Sequence, residues 1–324
     1  MSKEVIRNIL WRLRLHELAA AVNRRAVIVL MYHGLVGDGD DEREGFVSSS
    51  ELDWQMRYIN DRFDVRPVHE WMRGARPRGK PGAAVTFDDG YRTVLTIALP
   101  ILRRHRCAAT VYLCPGAIES GRRLWFDDLY CTLRTLSDGG PTTASSGRGY
   151  DVLVEELKRL PSDRRAERIE QFRAEIPGGE VRWTADTELL DWDDIDRLHK
   201  GGLVSFGAHT LHHVRLSGVP ADEKRLEISA SHDAIAARVG ACETFAYPHG
   251  LPGDFDDESA ALVRSCGMIG AVTAVPGLVR RSTDPYAWPR IGVPAAVTRA
   301  RFELRASGIF GEKISRRDAL RRNM

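Results

Sequence analysis

The sequence predicts an α/β fold, a distorted barrel of parallel strands of the (β/α)7 type carrying a helical insertion. Three observations support this. Apolar runs of strand length alternate with helical patterns about seven times, and that alternation means parallel strands joined by right-handed crossovers. The chemistry-bearing motifs, Asp88-Asp89-Gly90 and His209-Thr210-Leu211-His212-His213, fall where apolar runs end, so they converge on one face as in an α/β barrel active site. At 324 residues the chain has the length of two domains, but barrels of about 200–250 residues commonly form one. A doubly wound open sheet is the alternative architecture.

In chain order, Val5, Ile6, Ile9, Leu10 and Leu13 recur at helical spacing among Lys3, Arg7, Arg12 and Arg14, which makes residues 1–25 a basic amphipathic helix. Such a helix either docks on an anionic membrane surface or packs across the barrel's open end. Ala26 to Tyr32 is the first strand, and His33 follows it directly. Ser48 to Phe63 opens on serines suited to an N-cap and carries Leu52, Met56, Ile59 and Phe63 on one face. Ala83 to Phe87 is a buried strand that stops on Asp88 and Asp89. Thr93 to His105 reads as a helix and Cys107 to Cys114 as another buried strand.

Residues 120–190 break the rhythm. They are polar, include Gly139-Gly140-Pro141, and show helical periodicity only near Val152 to Leu160 and Arg164 to Phe172. A segment this long between two strands reads as a surface excursion that contributes to a lid, not as a second domain. Trp125, Phe126, Trp183 and Trp192 lie in or beside it, either as platforms for sugar faces or as packing against the barrel. Asp191 to His199 and Ala221 to Val239 are helices, the latter with Leu226, Ile228 and Ile235 expected inside. Phe245 to Tyr247, Ile269 to Thr273 and Pro289 to Val293 supply the later strands. The barrel spans 26–308, and 309–324 is a basic tail.

Two adjacent aspartates at a strand end raise one another's pKa, so such a pair persists mainly where a cation or a reaction uses it. An Asp-Asp-Gly turn capping the next helix is the plainer alternative. The histidine cluster changes the balance, because one carboxylate with two imidazoles leaves open positions on a divalent ion for water and substrate. Zinc suits that donor set best, and cobalt, nickel or manganese also fit it.

Thr86-Phe87-Asp88-Asp89-Gly90 and His209-Thr210-Leu211-His212-His213 resemble the first two signature motifs of the polysaccharide deacetylases, the NodB-homology proteins of carbohydrate esterase family 4. Leu30-Met31-Tyr32-His33-Gly34 is similar to the opening strand of one branch of the family. Phe245-Ala246-Tyr247-Pro248-His249-Gly250 is similar to the third motif, and residues 284–293 (DPYAWPRIGV) to the last block. The resemblance covers roughly residues 26–295. It implies a NodB-like barrel and a metal-dependent hydrolase that removes acetyl groups from N-acetylated sugars. Asp88 is then the general base, and Asp89, His209 and His213 are the metal ligands. Tyr91, through its backbone N–H, is a candidate for stabilising the oxyanion, and His33, Tyr247, Pro248 and Trp288 are candidate substrate contacts.

The chain departs from the family pattern in two places. Its third motif lacks the arginine that orients the base, and Arg290-Ile291-Gly292-Val293 carries no histidine to serve as acid. Arg290 is the candidate substitute for the first function, with a pairing to Asp284 as its alternative. His249, ahead of His33, is the candidate for the second. Two other functions stay open, a deformylase or other amidohydrolase acting on a lipid-linked sugar, and a carbohydrate-binding protein that has lost turnover.

Composition narrows the setting. Five cysteines without a CxxC pair suggest free thiols, and neither a membrane span nor a signal-peptide pattern is evident. The expectation is a cytoplasmic protein with peripheral contact to the inner membrane face through the basic helix. The net charge of +2 gives nucleic-acid binding no support beyond the two basic ends.

Overall fold

The computed structural model describes residues 3–40, 43, 45–137 and 149–309. The Gly139-Gly140-Pro141 stretch and nearly all of the basic tail lie outside them. The strands are β1 (Val27–Tyr32), β2 (Leu35–Val36), β3 (Val47–Ser48), β4 (Asp64–Val65), β5 (Gly82–Phe87), β6 (Ala109–Leu113), β7 (Val204–Ala208), β8 (Thr244–Ala246), β9 (Gly270–Val272) and β10 (Ile291–Gly292). The helices are α1 (Lys3–Arg12), α2 (Leu15–Val22), α3 (Ser49–Arg62), α4 (Val68–Met72), α5 (Leu99–His105), α6 (Pro115–Ser120), α7 (Trp125–Leu136), α8 (Tyr150–Leu157), α9 (Ser162–Ala174), α10 (Trp192–Lys200), α11 (Ala221–Val239), α12 (Asp257–Ser265) and α13 (Arg299–Ala306).

The main sheet runs β10-β1-β5-β6-β7-β8-β9 with every pair parallel, and β4 adds to the start of β5. The chain leading into β10 also bonds to β9, through Trp288 N–H to Ala271 O at 3.0 Å and Thr273 N–H to Trp288 O at 2.8 Å. The sheet therefore curves back on itself as a seven-stranded distorted barrel. Alternation along each strand sorts the side chains into two layers. Val27, Val29, Ala84, Tyr112, Ala246, Val272 and Trp288 fill the interior with Trp71 from α4. Leu30, Val85, Phe87, Val111, Phe206 and Phe245 face the helices. Gly207 belongs to the inner set because a Cβ there would meet the Tyr112 ring at 2.5 Å.

Sequence and structure differ in informative places. The N-terminal helix is two helices, broken where Arg14 takes a left-handed φ of 56°. The pair packs on α13, with the Trp11 indole N–H donating to Glu303 at 2.6 Å. The insertion holds a helix, α7, that its periodicity did not announce, and α7 packs on α8 and α9 around Leu129, Leu133, Leu153, Ile169 and Phe172. In α11 the buried stripe is Lys224, Glu227, Ile228, Ser231 and Ile235, whereas Leu226 is exposed. Leu226 lies two residues from Ile228, about 200° around a helix of 3.6 residues per turn, so both cannot face the barrel.

Candidate active site

The inner face of β5 reads Ala84, Thr86, Asp88, and this alternation carries Asp88 to the rim of the barrel interior. Arg290, just before β10, meets it there and is 1% exposed. Its guanidinium grips Asp88 bidentately, Nη1 to Oδ1 at 2.6 Å and Nη2 to Oδ2 at 2.7 Å. The same arginine is fixed by Nε to Thr273 O at 2.8 Å and Nη1 to Thr86 Oγ1 at 3.2 Å. Its partner is thus Asp88 and not Asp284. Burial pushes the Asp88 carboxyl upward, but Arg290 and, further off, His209 outweigh it and hold the group below its ordinary value.

Asp89 turns the other way because its backbone is left-handed, φ 73°, followed by Gly90 at 78°. Its Oδ1 lies 3.5 Å from His209 Nε2 and 3.4 Å from His213 Nε2. Thr210, His213 and His249 also have positive φ, so four of the seven such non-glycine residues among the described chain gather at this site. Each strained residue costs on the order of 1–3 kcal/mol, which the surrounding fold must offset. The His209 ring donates from Nδ1 to Ala246 O at 2.6 Å, leaving Nε2 free as a ligand. Burial holds His213 well below its ordinary value, so it is neutral as a ligand must be.

These three side chains fit a divalent ion. Their donor atoms lie within 4.8 Å of one another, all three residues are buried, and Asp89 Oδ1 and His213 Nδ1 have no hydrogen-bond partner. Two ligands about 2.1 Å from an ion at a tetrahedral angle lie about 3.4 Å apart, which matches the observed spacings.

Two positioning groups escaped the sequence analysis. The buried Glu227 carboxylate of α11 accepts from Leu211 N at 2.8 Å and His212 N at 3.0 Å and pairs with His212 Nδ1 at 2.7 Å. It thereby holds the turn that presents His213. Asp127 of α7, also buried, accepts from the Tyr91 hydroxyl at 2.9 Å and pairs with Arg43. The polar residues of the α11 stripe were a signal for the first, whereas nothing in the sequence linked Arg43 to Asp127.

The candidate substrate contacts divide. His33 continues the inner face of β1, on the side of the aspartates, and is half-buried. The Tyr91 side chain is buried and bound to Asp127, so only its backbone N–H is left for the site. Tyr247 is a correction: with Phe245 it faces the helical layer, stacked on Phe255 at 4.0 Å with its hydroxyl on Tyr286 O. Trp288 and Pro248 are likewise buried, Trp288 as filling of the barrel interior. His249 is half-buried and stands edge-on to His213 at 4.8 Å between ring centres. Burial, then the cations Lys158, His209, Arg165 and Arg215, hold its imidazole well below the ordinary value.

The insertion walls the site. Phe126 lies edge-on to His213 at 4.9 Å, and Lys158, next to α8, makes a buried 2.9 Å pair with Asp254 in the loop after His249.

The sequence profile of the polysaccharide deacetylases matches residues 75–271, more than half of the chain. The chain belongs to the polysaccharide deacetylase family, metal-dependent hydrolases that remove acetyl groups from N-acetylated sugars and so act on carbon–nitrogen bonds other than peptide bonds. Its fold agrees with solved structures of low identity. The Streptococcus pyogenes deacetylase PplD, in complex with acetate, is 17% identical with a TM-score of 0.57, covering 83% of this chain and 92% of its own. IcaB from Ammonifex degensii is 17% identical with a TM-score of 0.57, covering 88% and 98%. BC0361, a polysaccharide deacetylase from Bacillus cereus, is 18% identical with a TM-score of 0.59, covering 87% and 69%. No curated protein matches the chain.

Proposed function

We propose that this chain deacetylates an N-acetylated sugar of a glycan or lipid-linked glycan, with Asp88 as base and zinc on Asp89, His209 and His213. The observation that carries this reading is the bidentate Arg290–Asp88 pair beside an unsatisfied Asp-His-His cluster. A protein that only binds sugar has no use for an oriented, buried base outside the ligand set. A divalent ion bound there supplies Lewis-acid chemistry, activating water near neutral pH and polarising the acyl oxygen.

Asp88, ionised and aimed by Arg290, takes the proton of the attacking water. The backbone N–H of Tyr91 donates to the carbonyl oxygen as negative charge develops on it. The C–N bond breaks, acetate and a free amine leave, and the departing nitrogen takes a proton. We assign that proton to His249, at the rim beside His213. Because its surroundings hold the ring neutral near pH 7, its contribution to the rate should grow as the pH falls.

The N-terminal pair is proposed to rest on an anionic membrane surface from the cytoplasmic side. Support comes from Ile6, Ile9, Leu13, Leu18 and Val22, all exposed large apolar side chains, among Arg12, Arg14, Arg24 and Arg25. No helix among the described residues is long and apolar enough to cross a membrane. Sedimentation with anionic vesicles, lost in an Ile6→Ser/Ile9→Ser variant, tests this.

For the activity, the chelator-treated protein is assayed for acetate and formate release from acylated amino sugars before and after zinc is restored. Acetate release that returns with zinc supports the reading. Release of formate alone, or release indifferent to chelation, overturns it.

A further inference from the structure

Beside the metal loop, a cavity of about 740 Å³ opens between α6, α7, α9 and α11. It is separated from the site just described by one residue on each wall: Trp125 lines the cavity while Phe126 touches His213, and His212 lines it while His213 joins the ligand cluster. Its volume suits one or two sugar rings.

The lining has unused capacity for an anion. Arg165 of α9 is 6% exposed, yet no carboxylate lies within ion-pair distance of it among the described residues. Its partners are the Ser162 hydroxyl at 3.1 Å and the face of Trp125 at 4.7 Å. Burial pushes its guanidinium down from the ordinary value, against a weaker pull from Glu227 and Glu223. A buried cation without a counterion is costly, and a ligand anion would offset that cost. The indole N–H of Trp125 is also buried without a partner. Across the cavity Arg123 lies over the ring of Trp183 at 4.5 Å, and Trp183 is 43% exposed. The acidic lining residues are mostly spoken for: Asp128 and Glu170 pair with Arg173, and Glu227 holds the His212 turn. Glu223 remains, sharing the lining with Arg122, Arg123 and Arg165 as a minority charge.

We propose that this cavity binds an acidic sugar residue of the glycan, its carboxylate or phosphate on Arg165 and the Trp125 N–H and its ring against Trp183. This rests on the reading of the chain as a glycan deacetylase, and it makes the acidic residue a neighbour of the acetylated one. Guanidinium suits either anion because its planar fork pairs bidentately with both.

Binding is measured on the full-length protein by tryptophan fluorescence and calorimetry. The probes are a glucuronate-containing N-acetylglucosamine disaccharide and its neutral all-N-acetylglucosamine counterpart. The acidic disaccharide should bind about tenfold or more tightly than the neutral one, and Arg165→Gln should erase that preference, a loss of about 10- to 100-fold. Trp125→Phe, which keeps the ring but removes the donor, should weaken acidic binding severalfold and serves where Arg165→Gln does not fold. Competition assigns the anion, since displacement by free glucuronate points to uronates and displacement by inorganic phosphate to phosphorylated sugars. Equal affinity for the two disaccharides, or unchanged acidic binding in the folded variants, overturns the proposal. Because turnover is not required, failure to release acetate from any substrate would count against the deacetylase reading alone.

Discussion

Asp88 and Asp89 are neighbours in sequence with opposite surroundings. One is gripped by a guanidinium and the other faces two imidazoles, because the left-handed backbone at Asp89 turns the second carboxylate away from the first. A base works only when ionised, so with Asp88 as the proposed base its depressed pKa should keep activity into mild acid. The same depression contributes stability that is present above the ordinary carboxylate pKa and lost as pH falls through the lower folded value. In Arg290→Gln, burial acts on Asp88 with the largest opposing influence gone and only the histidine side of the site left against it. The acidic limb of the rate profile should therefore move to higher pH, and the fold should lose about 3–5 kcal/mol from an unpaired buried charge. Rate profiles and urea unfolding check both effects, and an unmoved limb would remove Arg290 from the orienting role. His249→Ala should slow deacetylation by about 10²–10⁴-fold at the pH where the parent is fastest, with metal content unchanged. Its effect should diminish as the pH rises through the ring's depressed pKa, above which the imidazole is neutral.

Among the elements, the strand ends were the most readable part of the sequence. Strand alternation from Ala84 through Thr86 puts Asp88 on the inner face, and the same count puts Tyr247 outward with Phe245. The parity was present in the sequence, and applying it to the third motif would have removed Tyr247 from the substrate surface. The long helix over Ala221–Val239 was legible in its bounds but not in its buried face, because that face carries Lys224, Glu227 and Ser231 where apolar residues are expected. α7 was illegible for a related reason: its buried set includes Asp127, whose partners Tyr91 and Arg43 are distant in sequence, and Thr132, whose hydroxyl turns back on Asp128 of the same helix. Long-range pairs such as Arg43 with Asp127 and Lys158 with Asp254 leave no periodic trace. The last of these ties the insertion to the His249 loop. Lys158→Met should accordingly lower turnover while leaving metal content intact, measured by acetate release beside metal analysis.

In the molecule as a whole, the barrel interior is a packed core below and a polar site above. Trp288 marks the packed part: it is 7% exposed among Val27, Val29 and Val272, and Trp288→Ala should cost about 3–5 kcal/mol in urea unfolding. Arg290, two residues on along the same face, begins the chemistry. The last block of the chain thus closes the sheet against β9 and β1 while gripping Asp88, the proposed base. The central claim is that the two adjacent aspartates have separate tasks, and metal content measured alongside acetate release in Asp88→Asn and Asp89→Asn tests it most directly. The account predicts that Asp88→Asn keeps about one ion per chain and loses turnover, whereas Asp89→Asn loses both. An Asp88→Asn protein that releases acetate at the parent's rate, or an Asp89→Asn protein that binds the ion as tightly as the parent, would contradict it.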